Sequence, residues 1–148
     1  MSAYELERGK PMPSMNHGVI QSNILGTFFN HPQWRAVSEV ALRLGGLDGI
    51  PDISIFPRAS IDFTRDIVKQ TTAPVMVIEI LSPTQGSVSV MERVDSYLSN
   101  GVQSAWVIEP VFGDVLICTA DGKRQKYTGG VVTDPATGLS VDLAAIFA

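Results

Sequence analysis

The stretch APVMVIEILSP, Ala73–Pro83, decides how this chain is read. From Pro74 to Leu81 every residue is apolar except Glu79. A continuous apolar run closed by proline has the character of a strand covered on both faces of a sheet. A carboxylate in such a strand is costly. It normally comes with a cation, a hydrogen-bonding partner or a raised pKa.

Outward from this strand the chain alternates between sheet and helix signals. IPDISIFP, Ile50–Pro57, reads as a second strand bounded by Pro51 and Pro57, with Asp52 at its opening. VSEVALRL, Val37–Leu44, sets Val40, Leu42 and Leu44 against Glu39, Ala41 and Arg43. That alternation predicts a strand, with a short helix as the alternative. Residues 16–29 place Val19, Ile20, Ile24, Leu25 and Phe28 at helical spacing, with Asn16 available as N-cap and Pro32 as the break. Residues 4–10 read as a short strand or turn ending in Gly9. On the other side, Val90, Met91, Val94, Tyr97 and Leu98 form a helical stripe that stops at Asn100-Gly101. SAWVIEP is a further buried strand, and DVLICTADGKRQKYTGG a hairpin turning at Asp121-Gly122. The tail GLSVDLAAIFA is apolar enough to dock on the core. The sum is a mixed α/β domain around a central sheet.

Composition narrows the function classes. The 148 residues are expected to form one domain, 1–148, and 45% hydrophobic against 18% charged residues makes it globular. The start, MSAYELERGK, has no apolar segment of a secretory signal, and no apolar run approaches the roughly 20 residues of a membrane span. One cysteine, Cys118, forms no internal disulfide and offers no zinc spacing. A cytoplasmic protein with no membrane partner is expected. A net charge of −4 and a pI near 5.0 argue against indiscriminate polyanion binding. They leave room for a nucleic-acid enzyme whose carboxylates are neutralised by metal.

Asp52 and Glu79 are the candidates for that role. If their strands are neighbours, both acids point into one cleft, where two carboxylates repel unless a charge bridges them. A hard divalent cation bridges them well, because it takes oxygen ligands and completes its shell with water and phosphate. The alternative is that Asp52 caps the turn after Pro51 while Glu79 pairs with a basic side chain across the sheet. For the pair, the metal site is the favoured reading.

These residues carry a resemblance. Pro51-Asp52 followed by a hydrophobic strand holding Glu79 resembles the skeleton of the PD-(D/E)xK nucleases. More specifically, the chain resembles a bacterial family of restriction-endonuclease-like proteins. Four blocks carry the likeness, in order: Tyr4-Glu5-Leu6 with Gly9, Pro13 and His17; Pro51 to Phe56; Val77 to Thr84; and Tyr97, Gly101, Val102, Trp106 and Pro110. The resemblance implies a restriction-endonuclease-like fold with a mixed central sheet flanked by helices. It also implies hydrolysis of phosphodiester bonds in nucleic acid, with DNA the expected substrate, and Mg²⁺ or Mn²⁺ as cofactor. Asp52 and Glu79 would hold the metal with the backbone carbonyl of Ile80. The signature lysine stands two residues after the acid in most such nucleases, but here that position is Leu81. In this family it lies on the following helix, four residues before the tyrosine, which gives Arg93. Arginine keeps the charge and can brace a phosphate, yet it cannot give up its proton. A catalytically impaired module that binds nucleic acid or protein is therefore the rival reading, and a metalloenzyme with another substrate is a third.

Other positions carry weaker expectations. Glu5 could line the same cleft or be a surface glutamate. His17 could touch phosphate or help cap its helix. Trp34 and Trp106 read as core. Lys123, Arg124 and Lys126 could meet a phosphate backbone or form a solvated hairpin face. Since one active site cuts one strand, a homodimer is expected on double-stranded DNA.

Overall fold

The computed structural model describes residues 2–148. In chain order its elements are α1 (Ala3–Arg8), α2 (Met15–Phe28), β1 (Trp34–Ser38), β2 (Ala41–Leu44), β3 (Leu47–Gly49), β4 (Ile53–Pro57), β5 (Lys69–Gln70) and β6 (Met76–Ile80). There follow α3 (Ser87–Ser99), β7 (Ser104–Glu109), β8 (Asp114–Thr119), β9 (Arg124–Tyr127), β10 (Val131–Thr133), β11 (Ser140–Asp142) and α4 (Leu143–Ile146). Six strands form the main sheet in the order β1-β4-β6-β7-β8-β9. All neighbours are antiparallel except β6 and β7, whose parallel pairing requires the crossover that α3 supplies. Two small sheets, β3-β2-β5 and β10-β11, flank it.

β6 is the run that opens the sequence reading, and all five of its residues are buried. Its side chains alternate between two cores. Met76, Ile78 and Ile80 join Ile53, Ile55, Trp106 and Ile108 under α2 and α4, which contribute Ile20, Ile24, Phe28, Leu143 and Ile146. Val77 joins Ala105, Val107 and Cys118 under α3, which contributes Val90, Val94 and Tyr97. Coverage on both faces is why β6 reads as one continuous apolar run.

Three local expectations are corrected. Residues 4–10 are not a strand. Ser2 and Glu5 form a reciprocal capping box that nucleates α1, and Gly9 at φ 71° ends it in the left-handed region that glycine favours. The cap of α2 is Ser14 rather than Asn16, its side chain accepting the N–H of His17. VSEVALRL is two strands, because Glu39 at φ 49° breaks the extended path and donates its N–H to the Asp52 carbonyl. The tail docks as expected, through β11 and α4.

Candidate functional site

The site forms where the antiparallel pair β4–β6 reaches its end. Ile53 lies opposite Ile78, so continuing the register by one residue sets Asp52 across from Glu79. Both acids are fully buried. They meet on one cation: the Lys10 ammonium lies 2.8 Å from Asp52 Oδ1 and 3.0 Å from Glu79 Oε2. Lys10 arrives there because Gly9 turns the chain sharply after α1.

Asp52 is densely solvated by protein. Its Oδ1 also accepts from Arg8 Nη2 at 2.7 Å and lies 3.1 Å from His17 Nε2, while its Oδ2 accepts the Ile80 N–H at 2.7 Å. Burial alone would raise its pKa. The contacts to His17 and Lys10 outweigh that and hold it well below the ordinary carboxylate range. Arg8 is itself fixed on several sides, donating to Glu39 at 2.9 Å and to the Pro11 carbonyl at 3.0 Å, with the Tyr4 ring 5.8 Å away.

Glu79 is held more loosely. Burial, reinforced by the Asp52 charge, pushes its pKa up against the opposing pull of Lys10 and Arg93. Its Oε1 is buried with no hydrogen-bond partner among the described residues. Arg93, on α3, donates Nη2 to the Gly9 carbonyl at 2.7 Å and brings Nη1 to 3.9 Å from Glu79 Oε2, but that Nη1 is otherwise unpartnered. The Tyr97 hydroxyl on the same helix is also buried, beside Glu79 but short of a well-formed hydrogen bond among the described residues, and burial drives its pKa upward. Buried polar atoms without full partners, clustered around one acid, set this centre apart from a fully satisfied core.

The family described as "Putative restriction endonuclease" matches residues 3–145. The chain belongs to that family. Among solved structures, the chain is similar to a "putative nuclease belonging to DUF820" from Anabaena variabilis. The two are 27% identical with a TM-score of 0.80, over 93% of this chain and 83% of that one. No curated protein matches. The fold is therefore restriction-endonuclease-like, as the family resemblance implied.

Set in this restriction-endonuclease-like frame, the sequence candidates separate. Asp52, Glu79, Arg93 and His17 come together. Glu5 does not line the cleft: its carboxylate accepts the backbone N–H groups of Ser2 and Met12, which lower its pKa and tie α1 to the segment after it. His17 makes both candidate contacts, capping through its backbone N–H and touching Asp52 through its ring. Ile80 donates its N–H to Asp52 Oδ2. Trp106 is core, donating Nε1 to Asp134, and Trp34 is half-buried against it. The hairpin cations are each paired with an acid: Lys123 with Asp121, Arg124 with Asp95 and Lys126 with Asp114.

Sequence reasoning missed Arg8 and Lys10. The available signal was ERGKP, two cations astride a glycine just ahead of the helix that carries His17. No spacing rule connects position 10 to position 79, so only the fold joins them.

Whether the residues suit a divalent ion can be tested on the donors themselves. Among the described residues no group of three His, Cys, Asp or Glu side chains converges. The two acids nevertheless converge on one positive charge, and the ammonium of Lys10 stands in for a cation between them. Glu79 Oε1 is a spare buried oxygen beside it. This donor set fits a hard cation held by one or two carboxylates and completed by water and phosphate oxygens. It fits once Lys10 has moved aside.

Proposed function

We propose that this chain is an endonuclease that hydrolyses phosphodiester bonds of nucleic acid, DNA in the first instance, with the Asp52–Glu79 pair as its catalytic centre. The observation that carries the reading is the convergence of two fully buried carboxylates on a single cation at the end of adjacent strands. Membership of the restriction-endonuclease-like family and the likeness to a nuclease-type structure support it. Asp52 and Glu79 would hold Mg²⁺ or Mn²⁺, with the Ile80 carbonyl as a further oxygen. A hard cation there would polarise the phosphate and lower the pKa of a bound water.

The chain's own residues divide the remaining work. His17, Arg8 and the Ile80 N–H fix the orientation of Asp52 and keep it ionised. Arg93 offers the unpartnered Nη1 beside Glu79, a donor suited to a phosphate oxygen. Arginine stays protonated, so its part is electrostatic and the attacking water loses its proton elsewhere. Cutting both strands of a duplex would pair two copies of the chain.

The test is a nicking assay on supercoiled plasmid with Mg²⁺, Mn²⁺ or EDTA, run beside single-stranded DNA and RNA. Cleavage is expected with added metal, and none with EDTA or in Glu79→Gln. Metal-dependent cleavage retained by Glu79→Gln would move the active site elsewhere. If every substrate binds and none is cut, the second reading holds: a binding module. The ammonium lodged between the acids favours that reading.

A further inference from the structure

The N-terminal segment does something that the two-acid site does not require. Arg8 and Lys10 lie against the two acids, and their side chains are 3% and 2% exposed. Three permanent cations, Arg8, Lys10 and Arg93, thereby face three carboxylates, Asp52, Glu79 and Glu39. The charges of this cluster balance without any metal. The segment adds little apolar anchoring: α1 has six residues, and its Tyr4 and Leu6 are exposed. Its closure therefore rests on polar bonds, above all the ion pairs of Arg8 and Lys10, which a cation and a phosphate could replace. The two cations also differ in kind. Arg8 is pinned by Glu39, the Pro11 carbonyl and Asp52. Among the described residues Lys10 bonds only the two acids, through a compact charge on a flexible stem.

We propose that Lys10 is a built-in competitor for the divalent cation, its ammonium holding the position between Asp52 and Glu79 until the Arg8–Lys10 strap withdraws. This rests on the acid pair being a cation site. The latch is Arg93, which donates to the Gly9 carbonyl in the middle of the strap and keeps Nη1 free beside Glu79. A phosphate that takes both guanidinium nitrogens removes that hydrogen bond, so nucleic acid and cation open the strap together. The domain thus folds without metal and takes up the ion with its substrate.

The experiment is a Mn²⁺ titration read as melting temperature, on wild type, Lys10→Met and Lys10→Met/Glu79→Gln. A strap that closes most of the sites lowers apparent affinity by the open fraction. Lys10→Met should therefore respond at Mn²⁺ concentrations at least about tenfold lower than wild type does. The gain should vanish in the double variant. Equal midpoints in wild type and Lys10→Met, with the response still lost without Glu79, would overturn the competitor role and leave the cation site standing. No Glu79-dependent response in either protein overturns both. Should Lys10→Met fail to fold, wild type supplies a second readout: acetylation of Lys10 by a water-soluble active ester, followed by mass spectrometry. Lys10 should be protected in EDTA and modified in saturating Mn²⁺. Protection in both would overturn the proposal.

Discussion

Two carboxylate centres are buried on opposite faces of the same sheet, and they are built differently. Asp134, in the turn between β10 and β11, accepts from Trp106 Nε1 at 2.8 Å through Oδ1. Its Oδ2 accepts the Ala136 N–H, the Thr137 N–H and the Thr137 hydroxyl at 3.1, 2.8 and 2.9 Å. Every donor is neutral, and three of them lie within three residues. Asp52 and Glu79, by contrast, are served by Arg8, Lys10, His17 and Arg93 from three separate helical segments, and Glu79 keeps an unpartnered oxygen. Short, neutral, local donors fix a carboxylate for shape. Long cationic side chains leave a place that another ligand can take. Burial and charge are shared by both centres, so neither distinguishes a site from a staple; the partners do.

The largest effect should come from breaking the cationic centre at its hub. Asp52→Asn keeps the volume but strands Arg8, Lys10 and His17 around a neutral group, a loss of roughly 3–5 kcal/mol for a buried network. Urea denaturation at neutral pH measures it. The sign with pH follows from the depressed pKa of Asp52. Its stabilisation is complete above the ordinary value near about 4 and is lost as the pH falls toward the folded value. The gap between wild type and Asp52→Asn should therefore close in acid. A gap that stays constant down to strongly acidic pH would mean that the charge of Asp52 is not what stabilises the fold.

A smaller effect is expected at the staple. Asp134→Asn turns an amide N–H₂ toward the N–H groups of Ala136 and Thr137, leaving buried donors unsatisfied at roughly 1–3 kcal/mol. Its melting response to Mn²⁺ should match that of wild type. An altered Mn²⁺ response would erase the distinction between the two centres.

The comparison also explains what could be read from the sequence. The continuous run of β6 and the alternating strands exposed the sheet, because hydrophobic patterning is written residue by residue. Glu79 stood out for the same reason, as the single acid in that run. Arg93 was reached only through the family resemblance, which puts the signature cation four residues before Tyr97. Lys10 was invisible: it contacts Glu79 across 69 positions, on a segment whose helix depends on a capping box and a glycine stop rather than an apolar stripe. Asp134 was equally silent, since nothing in VVTDPATGLS separates it from any turn aspartate. What long-range polar contacts decide, local periodicity does not record.

The smallest effect, and the sharpest, is expected at Glu79. If this glutamate were a staple like Asp134, Glu79→Gln would cost as much as Asp134→Asn or more. Its setting argues otherwise. Burial and the neighbouring Asp52 raise its pKa despite Lys10 at 3.0 Å, so the fold disfavours its charge relative to water. Lys10 keeps Asp52 when the charge of Glu79 is removed, and a glutamine oxygen still accepts its hydrogen bond. Glu79→Gln should therefore unfold within about 1 kcal/mol of wild type in EDTA. The pH dependence fixes the direction. A raised carboxylate costs stability as the pH climbs from its ordinary value near about 4.3 to the folded value, where the cost is complete. Glutamine carries no such cost, so the difference should shift in its favour across that interval and then level off. Denaturation curves for the two proteins at pH 4 to 8 decide it. A deficit for Glu79→Gln that grows with pH would make the Glu79–Lys10 pair a structural bond. The acid in the middle of APVMVIEILSP would then be explained by the fold alone.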